Sequence, residues 1–187
     1  MLEIIRYYQK EKPLISFSEF NKSSIEKRNN YNTSLSINPT EKRVEIIAYC
    51  IMPTHLHFIL KQLKTNGIST FINNIFNSYT RYFNLKHKRK GPLWEGRFKE
   101  ILVKNDEYLL HLTRYLHLNP VTAYIVNNPH EWSKSSYSEY LNPNQTLVKI
   151  CKFDDVLSIK PDAYKEFVED SIQYQRDLSK IKSLILE

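Results

Sequence analysis

Two histidines separated by one apolar residue, His55-Leu56-His57, are the residues of this chain best suited to bind a metal ion. They stand in a run of β-forming residues, which is typical of a strand. Because side chains alternate between the two faces of a strand, both imidazoles are expected on the same face. The pair therefore predicts part of a metal site, although buried histidines can also be hydrogen-bonded members of a core.

Tyr115 and Asn119 are four residues apart in a segment with helical periodicity, so they share one helix face. If this helix packs over the histidine face, two imidazole nitrogens and the Asn119 amide oxygen could hold Mg²⁺ or Mn²⁺, of which Mn²⁺ suits imidazole better. The Tyr115 hydroxyl could then attack a polarised phosphate and store the bond as a phosphotyrosine ester. Tyr79, Tyr82 and Tyr108 are rival nucleophiles, but no Asn or Gln follows them at this spacing.

Apolar periodicity predicts the elements that must position these residues. Strands are expected at Val44–Ile51 and Leu56–Gln62, and helices at 68–86 and 107–118. Asp106 is the expected cap of the second helix, and Asn119-Pro120 is expected to end it. Further expectations are a helix over 2–10, an irregular segment over 12–42 with one helical turn near 24–27, a strand over 100–104 and a short helix over 121–126. From 153 onward apolar residues recur, and a charged helical end is expected over 175–187.

Basic residues outnumber acidic ones by 27 to 20 in a chain of 187 residues, which favours a polyanionic partner. The most basic segment lies just after the helix predicted over 68–86. Its cations and the nearby tryptophan are the candidate DNA contacts: Lys86, Lys88, Arg89, Lys90, Trp94 and Arg97. The alternatives are a solvated loop for the cations, a core ring for Trp94 and a structural ion pair for Arg97.

Only two cysteines are present, which gives no indication of a disulfide framework. No apolar stretch is long enough to span a membrane, and the amino terminus has no signal-peptide pattern. We therefore expect a cytoplasmic protein that does not contact a membrane.

The segment AYCIMPTHLHFILKQ resembles the histidine-hydrophobic-histidine (HUH) strand of the single-tyrosine transposases. GPLWEGRFKE and YLLHLTRYLHLNPV resemble their REP-associated branch, as do WSKSSYSEYL and the tail after residue 165. The resemblance implies His55, His57 and Asn119 as metal ligands and Tyr115 as the nucleophile. It also implies cleavage and resealing of single-stranded DNA near hairpins of a repeat element, through a 5′-phosphotyrosine intermediate and with Mg²⁺ or Mn²⁺.

The same resemblance implies an α/β (α+β) fold, with a ferredoxin-like antiparallel sheet, helices packed on one face and a helical extension at the carboxyl end. Residues 1–130 would form the catalytic domain and residues 131–187 the extension. Relatives begin with a Tyr-His-Val strand, an Arg-Gly-Asn turn and a helix, whereas this chain starts near the end of that helix. The first strand is therefore expected to be missing, and the protein is expected to be a monomer or a homodimer.

Two other classes of function fit the residues. A truncated or domesticated relative would bind structured DNA without cutting it and would need only the basic and aromatic residues. An RNA-binding protein or toxin-like nuclease would fit the charge, but it would not need the amide that follows Tyr115.

Overall fold

The computed structural model describes residues 1–11, 13, 15–37, 42–144 and 149–185. In chain order, the regular elements are α1 (Leu2–Tyr8), α2 (Phe17–Lys22), α3 (Ile25–Ile37), β1 (Val44–Ile51), β2 (Leu56–Gln62), α4 (Gly67–Lys86), α5 (Asp106–Thr122), α6 (Tyr137–Leu141), α7 (Pro161–Glu169) and α8 (Ile172–Ile185). A short 3₁₀ helix, Pro129–Glu131, precedes α6.

The predicted mixture of an antiparallel sheet and helices is confirmed. Strands β1 and β2 pair as a hairpin and have the predicted bounds. All eight residues of β1 are buried, as expected for a strand covered on both faces. Among the described residues, no helix is long and apolar enough to cross a membrane.

The chain divides into two compact units. The first unit comprises Met1–Glu45 and Leu60–Ile101, and the second comprises Ile46–Ile59 and Leu102–Glu187. In the first unit α1 packs on α4. In the second unit α5 packs against α7 and α8. The predicted domain boundary at residue 130 stays a prediction.

The prediction of an irregular segment over 12–42 is wrong for the residues that α2 and α3 occupy; residues 12, 14 and 38–41 lie outside the described residues. Helix α2 begins with a capping box in which the Glu19 amide donates to Ser16 Oγ and the Ser16 amide donates to the Glu19 carboxylate. In α3, the Tyr31 ring stacks on Tyr7 at 5.4 Å. Packing of this kind stabilises a helix whose polar sequence gives little periodic signal.

The predicted strand over 100–104 is also wrong, because these residues have no regular secondary structure. Ile101 and Leu102 are each 78% exposed. β-Forming residues make a strand only where a neighbouring strand supplies hydrogen bonds, and in the described part of the chain none pairs with this segment.

Helix α5 continues through Asn119-Pro120, which contradicts the predicted end at that pair. Pro120 cannot donate a backbone hydrogen bond, yet the last turn is held by the Ala123 amide, which donates to the Asn119 carbonyl at 2.9 Å. The predicted helix over 121–126 is therefore the last two residues of α5 and a turn. The amino-terminal cap is Asn105, whose Oδ1 accepts from the Tyr108 amide at 2.7 Å, and not Asp106.

The turn after α5 is a Schellman motif with tyrosine where glycine is usual. The Ile125 amide donates to the Pro120 carbonyl and the Tyr124 amide to the Val121 carbonyl, while Tyr124 has φ 56°. Its ring lies 5.1 Å from the Arg176 guanidinium. A side chain with a Cβ is strained at this backbone conformation.

Tyr124→Gly is expected to unfold at higher urea than Tyr124→Ala, by about 1 kcal/mol in the free energy of unfolding. Both variants lose the ring contact with Arg176, so their difference isolates the strain at positive φ. Equal stabilities of the two variants would contradict this account of the turn.

Candidate active site

The β1–β2 hairpin places the two histidines side by side in the second unit. The turn is closed by the Met52 amide, which donates to the His55 carbonyl at 2.9 Å. The imidazole centroids of His55 and His57 are 4.7 Å apart, with ring planes at 88°. The same-face arrangement expected from their spacing is thus present.

The environment of His57 favours a neutral imidazole, the form that binds metals. Burial, followed by the charge of His55, lowers the pKa of His57 below its usual value. His55 is exposed, and its Nδ1 lies 3.0 Å from Thr54 Oγ1. A hydrogen bond at one ring nitrogen fixes the ring and leaves the other nitrogen available to a ligand.

Tyr115 faces this pair from α5. Its ring centroid is 6.4 Å from that of His57, and 47% of the residue is exposed. Tyr108 is also exposed on α5, but it is seven residues earlier along the helix. The structure therefore places Tyr115 next to His57, on an exposed part of α5.

Asn119 lies one helical turn after Tyr115 and is partly buried. Its Nδ2 atom is buried and has no hydrogen-bond partner among the described residues. The two ends of an amide are interchanged by rotating the side chain, so either the oxygen or the nitrogen can face the site. An amide that the protein itself leaves unsatisfied is available to a ligand.

The donor set fits a divalent metal only if the amide takes part. Among the described residues no group of three His, Cys, Asp or Glu side chains could hold an ion. His55 and His57 supply two nitrogens, and the unpartnered Asn119 amide can supply an oxygen. A set of two imidazoles and one amide leaves positions open, as Mn²⁺ or Mg²⁺ chemistry requires.

His117 is a positioning residue that the sequence analysis left without a role. It is fully buried on α5, with Nδ1 2.7 Å from the Tyr164 hydroxyl and Nε2 2.7 Å from Ser136 Oγ. Ser136 Oγ also accepts from the Tyr49 amide of β1 at 3.0 Å. The helix that carries Tyr115 is thereby tied to the strand that leads to the histidine hairpin.

The Ser136-His117-Tyr164 chain resembles a nucleophilic triad only in composition. All three residues are inaccessible to a substrate, and burial lowers the pKa of His117 to about 3, so the ring stays neutral. The sequence feature that could have indicated a buried His117 is its place between two leucines, two residues after Tyr115. At about 100° per residue, that position lies on the opposite side of the helix.

The candidate DNA contacts belong to the first unit. The cations Lys86, Lys88, Arg89, Lys90 and Arg97 are all exposed. Arg89 Nη2 donates to the Pro92 carbonyl at 3.1 Å, which shapes the turn after α4. Exposure of these cations is compatible with a surface that binds phosphates and equally with a solvated loop.

Trp94 is partly buried against α4. Its ring stacks on Phe76 at 4.2 Å, and its Nε1 donates to the Phe76 carbonyl at 3.2 Å. One ring face and the only polar atom are thus already engaged. This packing favours the structural alternative for Trp94 over base stacking.

The family model for IS200-like transposases matches residues 19–119, which include both histidines, Tyr115 and Asn119. The match covers more than half of the 187 residues, and the chain belongs to this family.

A protein of Haemophilus influenzae described as a REP-associated tyrosine transposase is 30% identical over 104 residues. The alignment covers 50% of this chain and 58% of that relative. The family model confirms the family that the sequence motifs indicated, and this relative carries the name of the branch that they resemble. No solved structure matches the chain.

Proposed function

We propose that this transposase cleaves and reseals single-stranded DNA at hairpin-containing repeats, with Tyr115 as nucleophile. The observation that carries the proposal is the placement of the exposed Tyr115 ring 6.4 Å from His57, beside a histidine pair and an unpartnered amide. Membership of the IS200-like family supports it.

The reaction is a transesterification that balances without an external energy source. The Tyr115 hydroxyl oxygen bonds to phosphorus, and the bond from phosphorus to the 3′ oxygen breaks. The tyrosine proton leaves the nucleophile, and the departing 3′ oxygen gains one. The products are a 5′-phosphotyrosine and a free 3′-hydroxyl, and attack by a 3′-hydroxyl reverses the step.

A divalent metal held by His55, His57 and Asn119 would act as a Lewis acid on the phosphate oxygens. The chain itself supplies the other requirements. Buried His117 holds the helix of Tyr115 in place, and the hydrogen bond with Thr54 orients His55. Because Tyr115 is 47% exposed, a DNA strand can reach it from solvent.

The proposal is tested with a single-stranded oligonucleotide that carries a hairpin, labelled at either end and incubated with the full chain and Mn²⁺. With a 3′ label, we expect label bound covalently to protein on a denaturing gel. With a 5′ label, we expect a shorter free strand. Label on the protein only with the 5′-labelled strand would contradict the assigned polarity, and binding without any adduct would support the non-cleaving alternative.

The exposed segment after α4 is proposed to bind DNA backbone. Replacing Lys88 and Lys90 by alanine is expected to weaken binding of single-stranded oligothymidylate, measured by fluorescence anisotropy. The slope of log K against log salt should fall by about 1.4 in magnitude, since each phosphate contact contributes about 0.7.

A matched control removes the same charge elsewhere in the first unit. Lys61 and Lys64 lie 3.6 Å and 3.7 Å from the carboxylates of Glu45 and Glu11. Their double alanine variant should keep the parental slope. Equal losses in both double variants would show an effect of net charge alone and would contradict a local contact.

A further inference from the structure

Arg114 is a partly buried cation that has no anionic partner among the described residues. Its guanidinium carbon lies 4.5 Å from the centroid of the Phe167 ring, and its Nε is buried without a hydrogen bond. In the part of the chain that the structure describes, no salt bridge or hydrogen bond involves the Arg114 side chain. Stacking uses the face of the guanidinium plane, so its terminal nitrogens can still donate to the oxygens of a phosphate.

Phe167 holds this cation in a defined place. It belongs to α7, which packs against α5 in the second unit. The His111 ring, one turn before Tyr115 on α5, also contacts Phe167, at 5.6 Å. Two glutamates of α7, Glu166 and Glu169, lie near Phe167 in the sequence. Glu169 accepts from the Tyr137 hydroxyl at 3.3 Å, and among the described residues neither glutamate forms a salt bridge with Arg114.

The position of Arg114 in α5 indicates which phosphate of a DNA strand it could bind. Arg114 directly precedes Tyr115, and consecutive helix residues point about 100° apart. The two side chains therefore cannot converge on one phosphorus from the same direction. A single strand that crosses α5 at Tyr115 would present a neighbouring phosphate to Arg114.

We propose that Arg114, stacked on Phe167, binds a phosphate that flanks the one attacked by Tyr115. The inference rests on the proposed cleavage of single-stranded DNA and extends it by adding a substrate-positioning residue on the nucleophile's own helix. Phe167 supports the contact by restricting the guanidinium, which lowers the entropic cost of binding.

The binding test uses the full chain with Tyr115→Phe, so that binding is measured without cleavage, and fluorescent single-stranded oligothymidylate. Arg114→Gln should weaken binding on the order of tenfold. It should also reduce the salt slope by about 0.7. Arg114→Lys keeps the positive charge but loses the paired N–H donors of the guanidinium. This variant should therefore bind DNA more weakly than the parent, with an unchanged salt slope.

The matched control is Arg176→Gln. Arg176 is likewise partly buried and stacked on a tyrosine in the second unit, but its Nε donates to the Val121 carbonyl at 3.4 Å. We expect this variant to keep the parental slope. An unchanged slope in Arg114→Gln, or an equal change in Arg176→Gln, would overturn the inference, and melting temperatures identify any variant that has lost its fold.

The position test uses an oligonucleotide whose cleaved phosphate has been mapped. A neutral methylphosphonate is moved through the flanking positions, and cleavage rates are measured for parent and Arg114→Gln. At one flanking position, the methylphosphonate should slow cleavage by the parent on the order of tenfold. It should hardly affect cleavage by Arg114→Gln, because that variant has already lost the contact with this phosphate. If the parent cleaves but no flanking methylphosphonate has this differential effect, the inference about Arg114 is overturned and the proposed function stands. If the parent does not cleave at all, both the inference and the proposed function are overturned.

Discussion

Tyr115→Phe is expected to abolish the covalent protein–DNA adduct and to reduce strand cleavage by at least about 10³-fold, because phenylalanine has no oxygen with which to attack phosphorus. The substitution should leave the free energy of unfolding within about 0.5 kcal/mol of the parent, since the residue is 47% exposed. The measurements are adduct formation on a denaturing gel and urea denaturation.

Tyr108→Phe is the matched control for this prediction. Tyr108 lies on the same helix, is 39% exposed and loses the same single atom. Leu112 follows it at the position where Asn119 follows Tyr115, so we expect adduct formation at the parental rate. An adduct that persists in Tyr115→Phe and disappears in Tyr108→Phe would assign the nucleophile to the other tyrosine.

His57→Ala is expected to weaken Mn²⁺ binding and Mn²⁺-dependent cleavage by at least about 10²-fold, since even groups that only support a ligand cost 10-fold to 100-fold. The parent should lose cleavage on treatment with EDTA and regain it when Mn²⁺ is added. Metal binding is followed by the electron paramagnetic resonance signal of free Mn²⁺, in the Tyr115→Phe background, so that the result does not depend on turnover.

The control histidine is His130, which is exposed in the 3₁₀ helix Pro129–Glu131. His130→Ala should bind Mn²⁺ like the parent. Asn119→Asp should retain metal binding because a carboxylate also offers oxygen, whereas Asn119→Leu should lose it. Parental Mn²⁺ affinity in His57→Ala would reject the histidine pair as a metal site, whatever its effect on cleavage.

Local sequence patterns were sufficient to predict an element where its hydrogen-bond partners lie close by in the sequence. Both strands have their predicted bounds, because β1 and β2 are joined by a short turn and supply each other's hydrogen bonds. The strand predicted at 100–104 has the same propensity but no such neighbour. Helix α2 could have been recognised from its Ser-x-x-Glu capping box, which is a local signal that the composition of the surrounding segment obscured.

The continuation of α5 past Pro120 could not be inferred from local rules. A proline normally ends a helix before it, yet here carbonyls of the last turn find donors in Ala123, Tyr124 and Ile125. The side of α5 that faces the core is fixed by His117, whose two partners come from residues 19 and 47 positions further along the chain. Contacts of that separation leave no periodic trace in the sequence.

By itself, the sequence determined which residues share a face: the two histidines through the period of a strand, and Tyr115 with Asn119 through the turn of a helix. Only the tertiary structure decided that these two faces meet in one unit, with Tyr115 beside His57 and Asn119 Nδ2 without a partner among the described residues. The physical reason is that periodicity sets directions within one element, whereas the approach of two elements depends on buried contacts such as His117 with Ser136 and Tyr164.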